Sequence, residues 1–127
     1  MKPTEKVPNL SLPLVNDTEW ELYNQNPEHF TLLVFYRGLH CPVCKKQLEE
    51  LSSKLEDAKT WGLYFSKAIS DSEPELFSEP GLFLIKNDHS LYFSSIQTMP
   101  FARPKVEDLI KAIQFIKDKD YPARGKA

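Results

Sequence analysis

The stretch Thr31-Leu32-Leu33-Val34-Phe35-Tyr36-Arg37-Gly38-Leu39-His40-Cys41-Pro42-Val43-Cys44 decides how this chain is read. Its first six residues are apolar without interruption, apart from Thr31, and rich in β-branched and aromatic side chains. That is the pattern of a central strand covered on both faces. Arg37 to His40 end the strand, and Cys41-Pro42-Val43-Cys44 follows at once. Beyond Cys44 the period changes. Leu48, Leu51, Leu55 and Ala58 fall on one helical face, with Lys45, Lys46, Glu49, Glu50, Lys54 and Glu56 mostly elsewhere. The two cysteines therefore sit where a buried strand turns into an amphipathic helix.

This position suits thiol chemistry. Cys41 is expected at the N-cap and Pro42 at the first helical position, where a missing N–H costs nothing. Free backbone N–H groups and the helix dipole favour negative charge there. Both lower a thiol's pKa, and the thiolate is the reactive form. Cys44 lies one turn further in, within reach of a disulfide with Cys41. The physical assignment is Cys41 as attacking thiolate and Cys44 as resolving thiol. Arg37 ends the strand beside the pair and is a candidate for the site, with a structural ion pair as its alternative role. Lys45 and Lys46 read as solvated helix-surface residues. A structural zinc site wants four ligands. Two cysteines are present, and His29, His40 and His89 form no second paired motif.

The rest of the chain is organised around this unit. With 127 residues, 41 % apolar and 27 % charged, it has the size and composition of one globular domain. The net charge of −2, with acids and bases interspersed, excludes the basic face of a nucleic-acid binder. No apolar run approaches the roughly 20 residues that span a bilayer. The N-terminal residues lack the apolar stretch of a secretory signal, so a cytoplasmic protein is expected. Residues 1–9 read as a loose arm. Leu10, Leu12 and Leu14, a turn at Asn16-Asp17, and Glu19 to Leu22 read as a hairpin. Residues 61–69 are ambiguous between helix and strand, and 71–80 form a polar loop. Leu82 to Ile85 and Leu91 to Ile96 read as a second hairpin about Lys86-Asn87-Asp88-His89-Ser90. Pro104 is expected to open a last helix, with Val106, Leu109, Ile110, Ile113 and Ile116 on its buried face. The domain thus divides into an N-terminal arm and hairpin (1–30), a core (31–119) and a fraying tail (120–127).

Three segments together resemble the peroxiredoxin-like proteins of the AhpC/TSA group. They are Leu33-Val34-Phe35-Tyr36-Arg37-Gly38-Leu39-His40-Cys41-Pro42-Val43-Cys44-Lys45-Lys46, Phe77-Ser78-Glu79-Pro80-Gly81-Leu82-Phe83-Leu84-Ile85 and Ser95-Ile96-Gln97-Thr98-Met99-Pro100-Phe101-Ala102-Arg103-Pro104. The resemblance implies a thioredoxin-like α/β fold, a mixed sheet flanked by helices, and an antioxidant oxidoreductase that needs no bound cofactor. Its substrate would be a small peroxide or a disulfide, and a dithiol such as a thioredoxin would restore the reduced pair. It also implies that Pro80 matches the cis-proline facing the cysteines in thioredoxin-like proteins. The alternative for Pro80 is a trans-proline ending the acidic loop.

The sequence departs from the family pattern twice. Peroxiredoxins carry Pro-x-x-x-Thr/Ser-x-x-Cys around the peroxidatic cysteine. Counting back from Cys41 gives Gly38 and Val34, and from Cys44 gives Cys41 and Arg37. A disulfide reductase without peroxidase activity, and a non-catalytic thioredoxin-like binding module, therefore stand beside the peroxidase reading. Secondly, a strand–helix unit is expected to be missing after about Ala58, which would leave an edge of the 31–36 strand open. The N-terminal hairpin, residues 63–69 or a second chain could fill it, and an open edge favours self-association, such as a homodimer.

Overall fold

Phe30–Phe35 (β3) pairs on both edges and is buried on both faces, which is why all but Thr31 of its residues are apolar. In the computed structural model, which describes residues 1–14, 16–37, 41–54, 63–65, 79–99 and 101–125, β3 lies inside a four-stranded sheet. Leu63–Phe65 (β4) runs parallel to β3, with Phe30 opposite Leu63. Gly81–Lys86 (β5) runs antiparallel along all six residues of β3, and Leu91–Ile96 (β6) pairs antiparallel with β5. Ser11–Pro13 (β1) and Glu19–Glu21 (β2) form the separate N-terminal hairpin. Pro42–Ser53 (α1) lies between the parallel strands β3 and β4, and Val106–Lys119 (α2) follows the β5–β6 hairpin. A βαβ unit continued by a hairpin and a helix is the thioredoxin-like arrangement. Among the described residues no helix is long and apolar enough to cross a membrane.

The pleat sorts the core into two faces. Phe30 and Leu32 of β3, with Leu82 and Leu84 of β5, pack against Leu51 of α1 and Val106, Leu109, Ile110 and Ile113 of α2. Leu33 and Ile85 point to the other face, where Val7, Leu22 and Leu91 bury them. Ile116 packs at the margin of the first cluster. The helical face expected for the last helix is the face observed.

Four expectations are corrected or resolved. Residues 1–9 are no loose arm. Val7 is 3 % exposed, and backbone bonds from Thr4 N–H to Leu91 O (2.7 Å), from Leu91 N–H to Glu5 O (2.9 Å) and from Val7 N–H to His89 O (3.0 Å) fasten the segment to the start of β6. The sheet face that α1 and α2 do not cover is apolar, and Val7 shields part of it. Secondly, the edge of β3 that the missing strand–helix unit would leave open is filled by β4, the second of the three repairs. The stretch after Ala58 where the deletion was placed lies outside the described residues, as do His40, Leu55, Ala58 and most of the 71–80 loop. Thirdly, α2 begins at Val106 with Lys105 as its N-cap, so Pro104 precedes the helix rather than opening it. Fourthly, the described part of the tail folds back: the Tyr92 hydroxyl donates to Tyr121 O (2.7 Å), and the Arg124 guanidinium lies 5.3 Å from the Tyr121 ring centre.

Candidate active site at the start of helix α1

Cys41 is the N-cap of α1, with extended backbone (φ −87°, ψ 109°), and Pro42 occupies the first turn. The Cys41 carbonyl accepts the first intrahelical bond, from Lys45 N–H at 3.0 Å. The sequence placed both residues correctly, because proline's fixed φ and missing donor suit few other positions beside a helix. Both cysteines are reduced thiols. Cys41 is 6 % exposed and Cys44 is fully enclosed, in a small cluster with Tyr36 and the half-buried Leu48. The thiol nearer the surface is the one assigned to attack.

Burial acts most strongly on the Cys41 thiol and pushes its pKa up. The thiol of Cys44 beside it, the backbone N–H groups of Cys44 and Val43, and the positive charge of Arg103 together outweigh burial, so the net shift is downward from 9.0. The first turn of α1 carries no acidic residue to oppose this.

Arg103 is the residue that reading the sequence as elements missed. Its Nη2 lies 2.9 Å from Cys44 Sγ and 3.8 Å from Cys41 Sγ, and its Nη1 donates to Gln47 Oε1 at 2.9 Å. Gln47 is buried and lies three residues after Cys44 on α1, so the two share a face. Arg103 reaches them from the segment between β6 and α2. Gln97 N–H donates to Pro80 O (2.9 Å), carrying the β5–β6 ladder one step further, and a turn closed by Ala102 N–H to Met99 O (3.0 Å) follows. The signal for Arg103 was its place in the third family-like segment; helical or strand periodicity carries none.

Gln47, Pro80, Ser95, Gln97 and Arg103 line a small open cleft, and two of them, Gln47 and Arg103, also belong to the cysteine site. Pro80 thus reaches this cleft, buried at the head of β5. Among the described residues no peptide bond is cis, so Pro80 takes the trans alternative. Arg37 lies just beyond β3, half-buried, and is not among the groups that move the Cys41 pKa. The structure thus groups Cys41 and Cys44 with Arg103 and Gln47, and Pro80 shares a cleft with the last two.

The AhpC/TSA family matches residues 3–76 of the 127. The chain belongs to the AhpC/TSA family. With that membership it is a thiol-dependent oxidoreductase of the peroxiredoxin-like type. No curated protein matches the sequence. Among solved structures it is similar to a reduced 2-Cys peroxiredoxin of Plasmodium vivax (TM-score 0.73, 15 % identity, covering 93 % of this chain and 83 % of that one). It is also similar to the mitochondrial 2-Cys peroxiredoxin of Plasmodium falciparum (TM-score 0.71, 14 % identity, 96 % and 99 % covered). The peroxidoxin BcpB of Mycobacterium tuberculosis is comparable (TM-score 0.72, 13 % identity, 91 % and 98 % covered). At these identities the likeness shows the fold. The family's chemistry must then be run by the residues this chain has.

Proposed function

We propose that this AhpC/TSA protein works as a peroxiredoxin-like antioxidant through a Cys41–Cys44 dithiol–disulfide cycle. The Cys41 thiolate attacks a peroxide oxygen; the O–O bond breaks, the second oxygen leaves as alcohol or water with a proton, and Cys41 becomes a sulfenic acid. Cys44 then attacks the Cys41 sulfur, releasing water and closing the disulfide. An external dithiol of the thioredoxin type supplies the two electrons that reopen it. The observation that supports this most is the lowered pKa of Cys41 at the N-cap, with the Cys44 thiol next to it. Pro80 is assigned to the wall of the substrate cleft. Arg37 is assigned to the same site on its position, four residues before Cys41 and just beyond β3. A cytoplasmic setting, where dithiol reductants abound, suits this cycle.

One observation favours a second reading, the reduction of disulfides alone. Val34 and Gly38 stand where the peroxide-binding motif has proline and a hydroxyl residue. Mass measurement after hydrogen peroxide treatment separates the two. The peroxidase reading expects a disulfide in the reduced wild type and one added oxygen on Cys41 in Cys44→Ser. If neither forms while a small disulfide is reduced readily, the reductase reading stands. If neither reaction proceeds, a binding module replaces both.

A further inference from the structure

We propose that Arg103, oriented by Gln47, sets the reduction potential of the Cys41–Cys44 couple by stabilising its reduced form. This rests on the dithiol cycle above. One amino group of Arg103 contacts both sulfurs, at 2.9 Å from Cys44 and 3.8 Å from Cys41. The other is tied at 2.9 Å to the side-chain carbonyl of Gln47, itself only 8 % exposed. An arginine has five donors in a rigid planar fork, so fixing one branch aims the other. Gln47 is neutral. It orients the guanidinium without cancelling the charge, as a glutamate in its place would.

The charge acts unequally on the two redox states. Reduced sulfurs ionise to anions, which a cation at these distances attracts. A disulfide carries no charge, and the attraction is lost on oxidation. Whatever favours the reduced state makes the disulfide a stronger oxidant. The positive end of α1 acts the same way on Cys41 at the N-cap, but Cys44 lies a turn inside the helix. Arg103 contacts that second sulfur directly.

Glutathione serves as the test reductant. One glutathione thiolate attacks a protein sulfur, the Cys41–Cys44 bond breaks, and a mixed disulfide and one protein thiolate form. A second glutathione attacks the mixed disulfide and leaves as glutathione disulfide, freeing the other protein sulfur. Two electrons pass to the protein. The two protons from glutathione go to the protein sulfurs, or to solvent where a sulfur stays ionised.

The experiment equilibrates the whole protein in graded glutathione/glutathione disulfide mixtures, traps free thiols by alkylation and weighs the products. For Arg103→Gln the equilibrium is expected to move roughly tenfold toward the disulfide, about 30 mV in potential. Arg103→Lys, which keeps the charge, should restore most of it. The gap between wild type and Arg103→Gln should close in acid, where both sulfurs are protonated in either protein. A merely structural arginine would produce neither the lysine rescue nor that pH dependence. Should Arg103→Gln not fold, Gln47→Glu carries the test, because it neutralises the arginine in place and must move the midpoint the same way. An unchanged midpoint in the variants, beside a wild type that forms the disulfide, overturns the role of Arg103 alone. A wild type that forms no Cys41–Cys44 disulfide at any ratio overturns the cycle, and this inference with it.

Discussion

Cys41 feels opposing influences within a few ångströms: burial that disfavours its charge, and a neighbouring thiol, two backbone N–H groups and an arginine that favour it. Because the second set prevails, thiolate absorbance measured against pH should give a Cys41 midpoint below the ordinary thiol value. Arg103→Gln and Cys44→Ser should each raise it. A midpoint near 8.5, that of an ordinary thiol, would favour the non-catalytic module. Stability follows with a definite sign. A thiol whose folded pKa is depressed contributes stability that is fully present above its unfolded value and is lost as pH falls through its folded value. The reduced protein should therefore grow more stable as pH rises through the folded Cys41 value toward that of an ordinary thiol, and denaturant titrations of Cys41→Ser should lack that slope.

At the scale of elements, the β5–β6 hairpin has a structural end and a chemical end. Its turn is held by Asp88, whose carboxylate accepts from Ser90 N–H (2.9 Å) and from the Ser90 hydroxyl. The Ser90 hydroxyl, then its N–H, hold the Asp88 pKa below 3.8. His89 beside it takes a positive φ of 65°, a conformation that histidine tolerates better than most residues. The other end carries Pro80, Ser95 and Gln97 into the cleft. Asp88→Ala should lower stability by about 1 kcal/mol at neutral pH, read from urea unfolding. The difference should shrink as pH falls through the folded Asp88 value, where the wild type loses the same bonds. Cys41 alkylation rates should not change, because the turn and the thiols lie at opposite ends of the strands.

On the scale of the whole molecule, two strand edges that invite pairing are occupied. β4 lies on β3 over Phe30, Thr31 and Leu32, and the N-terminal arm pairs through Thr4 and Glu5 with Leu91 at the start of β6. The open β3 edge from which self-association was argued is thus filled, over those three residues, within one chain. The arm also closes the second core, where Val7 meets Leu33, Ile85 and Leu91. Val7→Ala should cost about 2 kcal/mol in urea unfolding while leaving the glutathione midpoint of the cysteine pair unchanged. Wild-type stability in that variant would mean that the arm is not docked.

Short-range chemistry was legible in the amino-acid sequence. The continuous apolar run of β3, the proline after Cys41, the heptad-like spacing of α2 and the turn residues at 86–90 each specify local backbone, since period, φ and capping are decided within a few residues. That placed both cysteines at a strand-to-helix turn. Tertiary structure alone decided what stands against them. Arg103 lies 62 residues from Cys41, and no periodic signal connects the two. The docking of the arm and the choice of residues 63–65 for the vacant strand are likewise long-range. Apolar patterning says that a face or an edge must be covered, but which distant segment covers it depends on the packing of the whole sheet. The sequence located the thiols, and the fold supplied the cation that faces them.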